Sequence, residues 1–109
     1  MRLTHSRDFD RVFKRADIRS RHGALRIAAV ANRMASPRMG LVVSKRAVRK
    51  AVERNRIKRV LREEFRGRRR FLPALDIVIQ VVARADNSAL RADADILFTR
   101  LAVSPGDET

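Results

Sequence analysis

The sequence predicts a single mixed α and β domain, and three observations carry that prediction. Helical and strand-like periodicities alternate along the chain, giving three helical and four strand-like segments. At 109 residues the chain fits one domain, expected to span residues 1–109, with no linker or repeat to divide it. Its 45% of hydrophobic residues supplies a modest core despite the charge, which argues against disorder.

Taken in order, Phe9, Val12 and Phe13 stand at i, i+3 and i+4 on a short first helix capped near Thr4 or Ser6. A strand is expected near Ile18–Arg21. Two more follow at Leu25–Ala31 and Met39–Ser44, parted by a turn around Asn32–Pro37. A long basic helix then runs to Gly67. Pro73 leads into a strand at Asp76–Ala83. The last helix begins near Asn87 or Ser88 and aligns Leu90, Ala94, Leu97 and Leu101. The tail 105–109 is expected to fray.

Several function classes are excluded early. There is no cysteine, hence neither a disulfide nor a thiolate metal site. The first residues lack the apolar segment of a secretory signal, and the longest apolar run, Ile77–Ala83, is broken by Gln80 and too short to span a bilayer. A cytoplasmic protein with no membrane partner is the expectation. His5 and His22 have no nucleophile beside them in sequence, and no phosphate loop or paired metal-ligand spacing is present. Asp8 and Asp10 could touch a metal, but carboxylates in a first helical turn more often complement its dipole. No catalytic residue and no metal ligand is assigned.

Charge is the informative quantity. The net charge is +14, and residues 45–70 alone contribute +10, whereas residues 71–109 contribute −3. Such a field repels itself unless a polyanion neutralises it, so nucleic acid is the expected partner. On a helical wheel Val48, Ala51 and Val52 cluster near 0°, but Ile57, Val60, Leu61 and Phe65 cluster near about 190°. One helix cannot bury both sets against one core. Regular helix is therefore expected from Ala51–Glu53 onward, with Lys45–Lys50 an irregular turn. Asn55, Arg56, Lys58, Arg59, Arg62 and Arg66 then share the face opposite the apolar stripe, with Glu63 the only acid among them. Ordinary solvated faces mix signs. This one is nearly unbroken in sign, and arginine dominates it, which favours bidentate phosphate contacts. Phe9 and Phe13, flanked by Arg7, Arg11, Lys14 and Arg15, are either plain core or a stacking surface for unpaired bases.

The stretch Leu41–Arg66, centred on Arg54-Asn55-Arg56-Ile57-Lys58-Arg59, resembles the signature region of the bacterial ribonuclease P protein family. Asp8-Phe9-Asp10-Arg11-Val12-Phe13 before it and Leu72–Ile79 after it extend the likeness in order over most of the chain. The resemblance implies a two-layer α/β (α+β) sandwich: a small mixed sheet of about four strands with three helices, and a left-handed βαβ crossover through the basic helix. It implies an accessory subunit of an endoribonuclease that removes the 5′ leader of precursor tRNA, with the catalytic groups and the Mg2+ requirement on the RNA partner. Arg46, Arg54, Asn55, Arg56, Lys58, Arg59, Arg62 and Arg66 would face the catalytic RNA, and Phe9, Phe13 and Lys45 the single-stranded leader. The chain departs from the family in aromatic poverty, having no Tyr and no Trp; strand Leu25–Val30 is aliphatic where an aromatic often stands. A ribosomal protein would share the charge without needing an aromatic cleft. A DNA-binding factor would want a base-reading helix, whereas these cations suit a backbone.

Overall fold

The computed structural model describes residues 6–102; Thr4, His5 and the tail 105–109 lie outside them. The elements are α1 (Ser6–Arg15), β1 (Ile18–His22), β2 (Leu25–Ala31), β3 (Arg38–Val43), α2 (Ala51–Arg68), β4 (Leu75–Val81) and α3 (Asn87–Ala102), with a 3-10 turn at Arg69–Phe71 closing α2. The four strands form one mixed sheet in the order β1-β2-β4-β3. β1 and β2 make an antiparallel hairpin, β2 runs antiparallel to β4, and β3 runs parallel to β4. The parallel pair requires a crossover, which α2 provides.

Alternation along the strands sorts the sheet into two faces. Leu25, Ile27, Ala29, Met39, Ile77, Ile79 and Val81 pack against Ile57, Val60, Leu61 and Phe65 of α2 and Leu90, Ala94, Leu97, Phe98 and Leu101 of α3. That is the main two-layer core. On the other face Val12 of α1 seals a small second core with Ala28 and Val78, joined by half-buried Phe9, Ala16, Val30 and Val42. The sandwich thus carries α1 on its second face.

Asp76 lies on the α1 side of β4 and is the only buried charged residue among those described. Its carboxylate accepts hydrogen bonds from Arg11 of α1, from Asn32 Nδ2 at 3.0 Å, and from Arg38 Nε and a terminal guanidinium nitrogen at 2.8 and 2.7 Å. One acid therefore ties α1, the β2–β3 turn and β3 to the central strand.

Three expected boundaries are corrected. α2 runs through Gly67 to Arg68, because a helical glycine in open space costs only about 1 kcal/mol and nothing packs within 4 Å of its missing Cβ. The last strand ends at Val81 rather than Ala83, where the chain turns toward α3. The third strand covers Arg38–Val43, leaving Ser44 to the following turn. The β1–β2 turn places Gly23 at φ 57, the single positive φ among the described residues, as a tight two-residue hairpin requires at its first position. Asp86 caps α3, its Oδ1 accepting the Ala89 N–H at 2.8 Å.

Candidate nucleic-acid interface

The turn before α2 is built by Ser44. Its Oγ accepts the N–H groups of Arg46 and Ala47 at 3.1 and 3.4 Å, and its carbonyl accepts that of Val48 at 2.9 Å. Val48 is thereby buried, while Val52 on α2 stays 80% exposed. Regular helix begins at Ala51 as the sequence predicted, and α2 buries Ile57, Val60, Leu61 and Phe65; of the other cluster the turn buries Val48 alone, leaving Ala51 and Val52 exposed. Lys45 and Arg46 stand exposed on this turn. Arg46 lines a cavity of about 350 Å³ with Arg49, Lys50, Glu53 and Arg84.

Along α2 the charges are sorted by side. Glu53 receives both arms of Arg84, each at 3.0 Å. Glu63 is held by Arg91 at 3.2 Å, and Glu64 by Arg91 at 3.2 Å and Arg68 at 2.6 Å. Arg68 also reaches Asp95 at 2.6 Å and lies 6.0 Å from the Phe98 ring centroid. Burial opposes its charge, but the hydrogen bonds to Glu64 and Asp95 outweigh that and raise its pKa. Hydrogen bonds to Glu63 and Glu64 raise that of Arg91. Every acid of α2 is thus neutralised by an arginine from outside the expected RNA-facing set. Asn55, Lys58, Arg59 and Arg66, with Lys45, Arg46, Arg49 and Lys50, form no hydrogen bond or ion pair through their side chains among the described residues.

The expected set is not uniform. Arg54 donates to the carbonyls of Val48 and Arg49 at 3.0 and 2.7 Å, clasping the turn to the helix. Arg56 donates to Asn87 Oδ1 at 2.6 Å and the Ala85 carbonyl at 3.2 Å, joining α2 to the start of α3. Both are half-buried, as is Arg62, and in the free protein Arg54 and Arg56 brace the surface. Arg49 and Lys50 join Arg46 without having been singled out in the sequence, although their place in the irregular turn was the available signal.

On the opposite face, α1 leaves a cleft of about 250 Å³ lined by Phe13, Arg19, Arg26, Ile27, Ala28 and Gln80. Phe13 is 36% exposed at its rim, whereas Phe9 is half-buried in the second core. The two aromatics therefore divide the alternatives between them. Arg19 donates to the Phe13 carbonyl at 2.6 Å and pins the end of α1 over the sheet. Arg26 and Gln80 are cross-strand partners; strand alternation gave their shared face, but only the pairing gave their adjacency. Val42 pairs with the same Gln80, but Lys45, two residues beyond the end of β3, is not among the residues that line the cleft. Asp8 and Asp10, two apart on α1, point to different sides of it and do not face each other. His22 Nε2 is 3.7 Å from Asp93, where the end of β1 meets α3. Among the described residues no group of three His, Cys, Asp or Glu is gathered as a metal site. No helix among them is long and apolar enough to cross a membrane.

The ribonuclease P family model matches residues 1–102. The chain belongs to the ribonuclease P protein family. It is 39% identical over 105 residues to the ribonuclease P protein component of Idiomarina loihiensis, covering 94% of this chain and 84% of that one. To the Marinobacter nauticus component it is 40% identical over 103 residues, covering 92% and 77%. Its fold is similar to the RNase P protein of Thermotoga maritima, with a TM-score of 0.79 at 30% identity over 92% of this chain and 96% of that one. The Staphylococcus aureus RNase P protein gives 0.82 at 23% identity, covering 92% and 95%, a likeness of fold. As a ribonuclease P protein component, the chain is an accessory subunit of the tRNA-processing endoribonuclease.

Proposed function

We propose that this ribonuclease P protein, a single domain over residues 1–109, binds the catalytic RNA through α2 and its preceding turn and the 5′ leader of precursor tRNA in the cleft beneath α1. Arg46, Lys58, Arg59, Arg62 and Arg66 meet phosphates of the RNA, Asn55 adds a hydrogen-bonding amide, and Lys45 on the same turn serves the leader. Arg54 and Arg56 hold the turn and the helix in place and reach RNA from those positions. The catalytic groups and the Mg2+ they use belong to the RNA; the protein supplies counter-charge and a leader groove. The ribonucleoprotein works in the cytoplasm, without membrane or DNA partners. One observation carries the reading: each acid of α2 is paired with an arginine from outside the expected set, so none of them occupies Asn55, Lys58, Arg59 or Arg66 of the stripe. A solvated face with no partner gains nothing from that segregation.

Phe13 at the cleft rim is the leader-facing aromatic, with Arg19 and Arg26 beside it for phosphates and Phe9 supporting from the second core. Phe13→Ala is expected to weaken holoenzyme affinity for precursor tRNA by about 1–3 kcal/mol, one stacked base, and to leave mature tRNA and catalytic RNA binding unchanged. Equal losses for precursor and mature tRNA, in step with a lowered melting temperature, would assign Phe13 to packing and end the leader reading.

A further inference from the structure

The far end of α2 carries a second surface that the basic stripe leads into. Phe71, in the 3-10 turn Arg69–Phe71, is 75% exposed, the most exposed aromatic ring among the described residues. Arg70 before it and Leu72 after it line a cavity of about 500 Å³, together with Arg66, Arg69 and Ala35–Pro37 of the β2–β3 turn. Arg66, Arg69 and Arg70 make no side-chain hydrogen bond or ion pair among the described residues, although Arg68 between them is fully engaged by Glu64 and Asp95. On the helical wheel Arg59 and Arg66 fall within about 20° of each other, and Arg69 and Arg70 follow in the 3-10 turn, so the patch continues the same stripe. It stands about 27 Å along α2 from the Lys45–Lys50 turn, one rise of 1.5 Å for each of the 18 residues.

Cations at a helix C-terminus complement its dipole, and Arg68 already serves that role. The dipole gives no reason for an unburied phenyl ring that directly follows unpaired Arg69 and Arg70 in the chain. Unpaired nucleotides are the chemistry that uses both: a base stacks on the ring while its flanking phosphates meet the arginines. We propose that this end of α2 is a second docking point for the catalytic RNA, with an unpaired nucleotide stacked on Phe71 and its neighbouring phosphates on Arg66, Arg69 and Arg70. The inference rests on the assignment of the α2 stripe to that RNA, with which the patch is continuous. The leader cleft opens on the other face of the sheet.

The test uses the full chain reconstituted with its catalytic RNA. Phe71→Ala should weaken binding by about five-fold or more, the effect of losing one stacked base, with an unchanged melting temperature because the ring is exposed. Arg69→Ala with Arg70→Ala should reduce the log–log salt slope by about 0.7–0.9 for each phosphate left without its cation. A photoreactive benzophenone side chain placed at position 71 should crosslink to an unpaired nucleotide of the catalytic RNA. Wild-type binding with Phe71→Ala within two-fold of it and no such crosslink would overturn this docking point alone, leaving the α2 assignment standing. Crosslinking only to precursor tRNA would reassign the surface to substrate. A wild-type chain that failed to bind the catalytic RNA would overturn both.

Discussion

Removing the buried carboxylate of Asp76 should separate leader binding from RNA docking through stability alone. Asp76 is fully buried and accepts from Arg11, Asn32 and, twice, Arg38. Breaking a buried ion pair by deleting one partner costs about 3–5 kcal/mol when the other charge stays buried. Here the Arg11 and Arg38 side chains retain 34% and 22% of their exposure, so both can swing toward water and recover part of their hydration. A loss of about 2–4 kcal/mol for Asp76→Ala follows, and for a domain of this size it should lower the melting temperature by about 10–25 °C. Asp76→Asn should lose nearly as much, since its amide turns a donor toward the guanidinium groups. Urea denaturation followed by circular dichroism measures the change, and a double-mutant cycle with Arg38→Ala isolates the pair, with a coupling of about 1–3 kcal/mol expected. Because Arg11 belongs to α1, the surviving folded protein should lose affinity for precursor tRNA before it loses affinity for the catalytic RNA. A stability change below about 1 kcal/mol, or a coupling near zero, would refute the reasoning that this acid fastens α1 to the sheet.

Other perturbations probe the remaining links. Arg59→Ala with Arg66→Ala, neither residue having an internal partner among the described residues, should leave the melting temperature almost unchanged and flatten the salt dependence of RNA binding by about 0.7–0.9 for each phosphate no longer neutralised; a slope equal to wild type would mean the stripe faces elsewhere. Gly23→Ala should destabilise the fold by about 1–2 kcal/mol, because alanine disfavours the positive φ and its Cβ would run into the carboxylate of Asp93. A thermal melt within error of wild type would show that the β1–β2 turn relaxes freely.

The start of α2 was legible because two apolar clusters demanded incompatible helix faces, a contradiction that periodicity alone exposes. Its end was not: Gly67 looks like a stop, yet in open space it costs little, and Arg68 beyond it is held by Glu64, Asp95 and the Phe98 ring. Charge counting located the basic stripe of α2 but treated its cations alike. Whether an arginine meets solvent or, like Arg54 and Arg56, a carbonyl depends on a turn and a neighbouring helix, which sequence spacing does not encode. Asp76 read as the opening of a strand. Its role as a hub needed the register that sets Arg38 beside it and Val30 across from it. Phe71 escaped notice because its exposure, rather than its type, is the signal.

The one-signed stripe gives the chain opposite responses to ionic strength in its two states. In the free protein the cations of α2 oppose one another at helical spacing, and added salt relieves that repulsion by shortening the screening length to about 10 Å at 0.1 M. With the α2 stripe on the RNA, as proposed, the same ions compete for phosphates and loosen the complex. The buffer that best preserves the isolated subunit is therefore one in which it assembles worst. In dilute salt the RNA takes over the screening, and at a hundred-fold excess over its Kd adds about 2.7 kcal/mol to the fold. For this chain the polyanion is a partner in folding stability as well as in function.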